Sequence, residues 1–274
     1  MGYVKTTKEV EALQDVLGAP QARDGRMLFI PFQTDEAFVS SVLPPGLESN
    51  GTAASLTVGE WQGSNAGPYR AAFLMVSAKT EHTPKPTESN PDPKHVVLNG
   101  TYCLSFFISD DSAILFGRPM MGEPKKLANI EFSLAGSDLT ASVTRFGTKL
   151  IDVTATIGAA LPQVPKPPPT LAFWYKHQPN LDGQGLQYDP VLLMQENSQT
   201  PTKMAGASAE MSLQGTAHDP LGDVPVQAIG SPIYIEGDIH AECSVVNRKI
   251  DREDFLPYAF AAYDDWTVLV KENS

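Results

Sequence analysis

The chain has 274 residues, 42% of them hydrophobic, enough for one sizeable core or two modest ones. Twenty lysines and arginines against 32 aspartates and glutamates give a formal charge of −12, which argues against nucleic acid or an anionic membrane as a partner, since both reward a basic face. The two cysteines, Cys103 and Cys243, supply neither a disulfide framework nor a four-thiolate metal site, so we expect buried, inert thiols in a soluble cytoplasmic protein.

The first segment, MGYVKTTKEVEALQDVLG, carries charges throughout and lacks the apolar run of a signal peptide. It meets the myristoylation pattern only loosely, through Thr6. No stretch approaches the roughly 18 apolar residues that span a bilayer. Over residues 5–17, Val10, Leu13, Val16 and Leu17 recur at helical spacing, and Gly18 and Pro20 stop the helix. MLFIPF (27–32) reads as a strand. TDEAFVSSVLPPGLE (34–48) reads as a helix with Thr34 as N-cap, an apolar face of Phe38, Val42 and Leu43, and a stop at Pro44-Pro45.

Strands are predicted at 71–80 and 101–108, separated by a polar, proline-rich loop (80–95) that is either a surface excursion or a lid. Three further strands follow at 129–136, 139–147 and 149–158, where apolar and polar residues alternate. LPQVPKPPPT (161–170) reads as an extended, ordered connection within the domain, because aromatic, core-like sequence resumes at once. VLLMQE, EMSLQGTA and SPIYIEGDIHAECSVV complete a strand-dominated second half. The sum is an α+β protein, mostly antiparallel sheet with a few peripheral helices, in one domain.

The five histidines show no metal-ligand spacing, and glycine-rich phosphate loops and the GxSxG elbow are absent, so no metal or cofactor is expected. The remaining chemistry sits in PMMGEPKKLA, where Lys125 and Lys126 lie among methionines, prolines and a leucine. A lysine becomes an amine nucleophile only where its ammonium form is destabilised, by desolvation or by a neighbouring cation. The bland alternative is a solvated turn.

GRPMMGEPKKLA resembles the signature of the acetoacetate decarboxylase family. RMLFIPFQTDEAFVSSVLPPGLE, GPYRAAF, FGTKLIDVTAT, KHQPNLDG and DPLGDVPVQAIGSPIYIEGDI resemble further family segments in the same order. The resemblance spans roughly residues 25–246, so we expect an acetoacetate decarboxylase-like domain there, a helical extension at 1–24 and a second extension at 247–274.

The resemblance implies that Lys125 forms a Schiff base with a small or medium oxo-acid substrate, with Lys126 as its cationic neighbour. Consecutive residues of a strand point to opposite faces, so we expect desolvation to activate Lys125 more than Lys126 does. It also implies a homo-oligomer. The chain departs from the family pattern at the pocket acids: Arg70-Ala71-Ala72 stands where an acid follows the Gly-x-Tyr segment, and Leu56 replaces a glutamate. The family arginine falls at Gly25, beside Arg26. Glu60 and Glu123 are therefore the candidate acids, and Arg26, Arg70 and Arg118 the candidate carboxylate binders, with Arg118 alternatively bracing the loop by hydrogen bonds. The expected function is a Schiff-base lyase, first a β-keto acid decarboxylase. An aldolase-dehydratase or cyclase, and a non-catalytic ligand-binding member, stay open.

Overall fold

The structure, a computed structural model, describes residues 2–18 and 21–260. The elements in chain order are α1 (Thr7–Gly18), β1 (Gln21–Gln33), α2 (Glu36–Val42), β2 (Glu48–Ser64), β3 (Tyr69–His82), β4 (Val96–Ile108), α3 (Asp111–Met121) and β5 (Lys125–Leu127). They continue with β6 (Asn129–Ala135), β7 (Asp138–Arg145), β8 (Thr148–Ala160), β9 (Thr170–Lys176), β10 (Val191–Leu213), β11 (Ala228–Ile229), β12 (Ile233–Lys249) and α4 (Arg252–Ala259).

Seven strands pair in the ring β1-β2-β3-β4-β9-β10-β12 and back to β1, closing a barrel whose pairs are antiparallel except β4–β9. Closure removes the free edges that an open sheet would expose. β10 is 23 residues long and outruns the barrel. Register shifts at Pro201/Lys203 and Ala205/Ala207 mark where it bends away, and its second half pairs with β8, which continues into β7 and β6 as an antiparallel wing. The α+β, mainly antiparallel expectation holds.

Strand alternation divides the apolar residues into two cores. Leu28, Ile30, Leu56, Val58, Leu74 and Phe107 point outward and pack with Phe132, Val143, Ile151 and Val153 of the wing, Val39 of α2 and Phe255 of α4. Met27, Trp61, Ala71, Met75, Phe106, Trp174 and Ile235 point into the barrel. Cys103 and Phe106, three apart, both face inward because a bulge opposite Leu74/Met75 resets the alternation of β4.

Several local readings change. The N-cap of α2 is Asp35, whose carboxylate accepts from Phe38 N at 2.9 Å, and not Thr34, which is fully buried ahead of it; an anion is the stronger acceptor at a helix N-terminus. α3 was not anticipated. Asp110 caps it by accepting from Ser112 N at 2.9 Å, and Gly122, at φ +71°, ends it in the left-handed region. Cys103 is buried as expected, and burial pushes its thiol up, but Cys243 lies in an exposed run of β12. The proline-rich connection is ordered: Leu161 N donates to Met204 O at 2.8 Å, and Val164 packs on the barrel interior. Among the described residues, no helix is long and apolar enough to cross a membrane.

A buried charge cluster pins the wing to the barrel. Lys126 Nζ donates to Asp219 Oδ1 at 2.8 Å and to His218 O at 2.9 Å, and the Arg145 guanidinium pairs with Asp219 Oδ2. The three side chains are only 2–8% exposed. Removing the shared anion would take from two buried cations the carboxylate they both pair with. Asp219→Ala should therefore lose about 3–5 kcal/mol of unfolding free energy in chemical denaturation, and a loss below about 1 kcal/mol would contradict this role.

His82 supplies an acid-sensitive contact. Its Nδ1 accepts from Asn247 N at 3.1 Å, and burial, aided by His95, holds the imidazole below its ordinary value. The unfolded chain therefore takes the proton first, so the contribution of neutral His82 is full above about pH 6.5 and fades as pH falls through the lowered value. Urea midpoints measured from about pH 7.5 down to about pH 5 should fall less steeply for His82→Gln than for the unaltered chain.

Candidate active site

β5 lies parallel to β4 with Lys125 opposite Phe106 and Lys126 opposite Phe107. Phe106 faces the lumen and Phe107 the outer core, so the two lysines part company. Lys126 runs outward to Asp219. Lys125, 6% exposed, runs into a cavity of about 470 Å³ that fills the barrel.

Helix α3 closes the cavity at that point. Lys125 Nζ donates to Ala113 O at 3.3 Å and stands 5.0 Å from the centroid of the Phe106 ring. Glu123, two residues earlier, turns the same way and is 5% exposed. Its Oε2 is 2.7 Å from Nζ, an ion-pair distance, yet the atoms are not aligned for a hydrogen bond and Oε2 has no hydrogen-bond partner among the described residues. Gly117 makes room for the pair: a Cβ there would stand 2.7 Å from Lys125 Nζ and closer still to Glu123 Oε2.

Among the described lining residues Lys125 is the sole cation and Glu123 the sole acid. Around them stand Phe29, Trp61, Tyr69, Phe73, Phe106, Phe116 and Trp174, with Met27, Met75, Met121 and Met204. Trp61 and Tyr69 stack at 5.4 Å, as do Phe106 and Trp174 at 6.1 Å. Burial, and then the charge of Glu123, pushes the Tyr69 phenol up, so that hydroxyl stays protonated beside the acid. Among the described residues, the buried indole N–H groups of Trp61 and Trp174 meet no acceptor. Gln195, also buried, donates from Nε2 to Asn197 Oδ1 at 2.8 Å on the cavity wall.

The other expected site residues stand elsewhere. Arg26, Glu60 and Arg70 are register neighbours across β1, β2 and β3. Glu60 is buried between the two guanidiniums, accepting from Arg26 Nε at 3.0 Å and Arg70 Nε at 3.3 Å. Glu60 does share a face with Leu56, but that face carries Leu28, Val58 and Leu74 and points away from the lumen. None of the three lines the cavity. Strand parity thus overturns their expected placement in the pocket: they form an external brace. Arg118 is likewise off the cavity wall, donating from Nε to Lys125 O at 2.6 Å and so fixing the backbone of β5. Lys126 ends its reach on Asp219 on the opposite side of the strand, which leaves the electrostatics of Lys125 to Glu123. No residue of the 83–95 loop touches the cavity.

The aromatic wall escaped sequence reading, although alternation carried the signal. Trp61, Tyr69, Ala71, Phe73 and Met75 are odd-numbered positions on paired strands, the set opposite in parity to Glu60 and Arg70.

A buried amine beside a carboxylate, in an apolar chamber, can condense with a carbonyl and pass protons over a short path. The family described as acetoacetate decarboxylase (ADC) matches residues 5–249. No curated protein matches the sequence. Among solved structures, the acetoacetate decarboxylase of Legionella pneumophila is similar at 16% identity and TM-score 0.68, covering 85% of this chain and 88% of that one. The enduracididine biosynthesis enzyme MppR, in complex with pyruvate, is similar at 15% identity and TM-score 0.65, covering 82% and 90%. An acetoacetate decarboxylase-like enzyme from Sphingomonas wittichii RW1 follows at 16% identity and TM-score 0.62, covering 86% and 94%. Likeness at these identities concerns the fold, while the match over residues 5–249 decides membership: the chain belongs to the acetoacetate decarboxylase family.

Proposed function

We propose that the protein is a Schiff-base lyase that decarboxylates a β-oxo acid through Lys125, with Glu123 as proton carrier. The observation that carries this reading is the Lys125–Glu123 pair, 2.7 Å apart inside an apolar chamber. Glu123 takes a proton from Lys125, and the free amine adds to the substrate ketone. Loss of water leaves a cationic C=N bond. The electron pair of the bond to the carboxylate then moves into that iminium, releasing CO₂ and leaving an enamine. Protonation of the enamine carbon and hydrolysis return the amine.

The chamber favours this outcome over aldol chemistry on a 2-oxo acid. A 2-oxo acid keeps its carboxylate throughout and calls for a cation to hold it, yet Arg26, Arg70 and Arg118 all stand off the cavity. A β-oxo acid loses its carboxylate in the step itself. An apolar wall raises the energy of that anion but not of CO₂. A cavity with one cation among its described lining residues is therefore best matched to loss of the carboxylate.

Sodium borohydride with a β-oxo acid or its ketone product should leave one reduced adduct, found by peptide mass mapping on Lys125. Lys125→Ala should abolish both adduct and CO₂ release. Glu123→Gln should lower kcat by roughly 10²–10⁴-fold with the fold unchanged. An adduct on another lysine, or an active Lys125→Ala protein, would sink the reading.

Gly117→Ala separates stability from chemistry. Alanine raises helix propensity by roughly 1 kcal/mol, but its Cβ would occupy the space of the Lys125–Glu123 pair. The expected result is an unchanged or higher melting temperature with kcat reduced at least about tenfold, equivalent to roughly 1.4 kcal/mol in the barrier. An active variant would show that the pair's position tolerates displacement.

A further inference from the structure

The cavity is larger than the cleavage step needs. A water takes about 30 Å³ of liquid, so 470 Å³ has room for about fifteen groups of that size, more than twice what a four-carbon oxo acid fills. Lys125 and Glu123 occupy the end closed by α3, while the half-exposed Gln21, Asn65 and Gln199 line the wall toward solvent. Between them the wall is chiefly aromatic and thioether. The volume beyond the lysine is room for whatever is attached to the far side of a substrate carbonyl.

The polar atoms along that wall restrict the attachment. No second cation lines the chamber among the described residues, so a ligand with another carboxylate would bury it unpaired. The Trp174 ring lines the chamber and stacks on Phe106, which in turn lies under the Lys125 amine, so aromatic surface continues just beyond the reacting carbon.

Building on the Lys125 reading, we propose that the substrate is a β-oxo monoacid with an extended, largely apolar or aryl side chain. The aromatic wall covers the chain's apolar surface. Acetoacetate would react as a poor, undersized substrate.

The test is a series of β-oxo acids whose side chain runs from methyl through propyl and pentyl to phenyl, with a carboxylate-ended chain of pentyl length beside them. CO₂ release gives kcat/KM, and borohydride trapping is run on each acid. We expect kcat/KM to rise about fourfold per added methylene, and the carboxylate-ended acid to fall below the pentyl acid. If trapping labels Lys125 with every acid but kcat/KM is flat or falls with size, the proposal fails and the Schiff-base reading stands. A carboxylate-ended acid that matches the pentyl acid would overturn the restriction to monoacids. If no acid labels Lys125, both readings fall together.

Discussion

Closure of the barrel imposes one rule on seven strands: each residue must face either the lumen or the outer core. The consequence is sharpest at β5, where parallel pairing with β4 sends Lys125 inward with Phe106 and Lys126 outward with Phe107. Two adjacent cations then serve two different ends. One enters a chamber beside a carboxylate, and the other ties a buried aspartate that also holds Arg145 of the wing. The chemical end of the barrel and its mechanical attachment to the wing are thus built from neighbouring residues on one short strand. A slip of one residue in that register would exchange their roles.

Burial makes the pair costly and therefore informative. Each charge taken from water costs several kcal/mol, which attraction offsets only when geometry is good and the remaining lone pairs are satisfied. Asp219 meets that condition, since both its oxygens have cationic partners. Glu123 does not: Oε2 stands 2.7 Å from Nζ without a directed hydrogen bond. The two ion pairs flanking the same strand therefore differ in kind. The outer one is satisfied and holds the fold together. The inner one is left incomplete at the closed end of the chamber, where a reacting group would meet it.

Much of this was legible from residue patterns. The strand-rich α+β class, α1, the strands from 129 to 158 and the role of the proline-rich stretch as an internal connection could all be read from alternation and breakers. So could the separation of Lys125 from Lys126 by strand parity. Parity also held the answer for Glu60, but the sign of a face cannot be fixed from one strand alone. Glu60 shares its face with Leu56 and Val58, and apolar residues cover both faces of β2. Only closure tells which face encloses the lumen. α3 stayed hidden because GRPMMG, with its glycines and proline, reads as loop. Asp110 and the left-handed Gly122 were its available end signals.

The position of α3 also explains why glycine belongs inside that helix. A glycine in a helix interior is unfavourable by roughly 1 kcal/mol relative to alanine, so local propensity argues against Gly117. Its missing side chain is what allows Lys125 and Glu123 to lie against the helix backbone. There Ala113 O accepts from the amine, and the helix shuts the chamber over both. Arg118, the next residue, holds the carbonyl of Lys125 from the other side. Stability given up at one helical position is thereby converted into the placement of a nitrogen. The same substitution that would improve the helix would evict the group the chamber is built around, and this conflict between local preference and global arrangement is the mark of a position set by function rather than by folding.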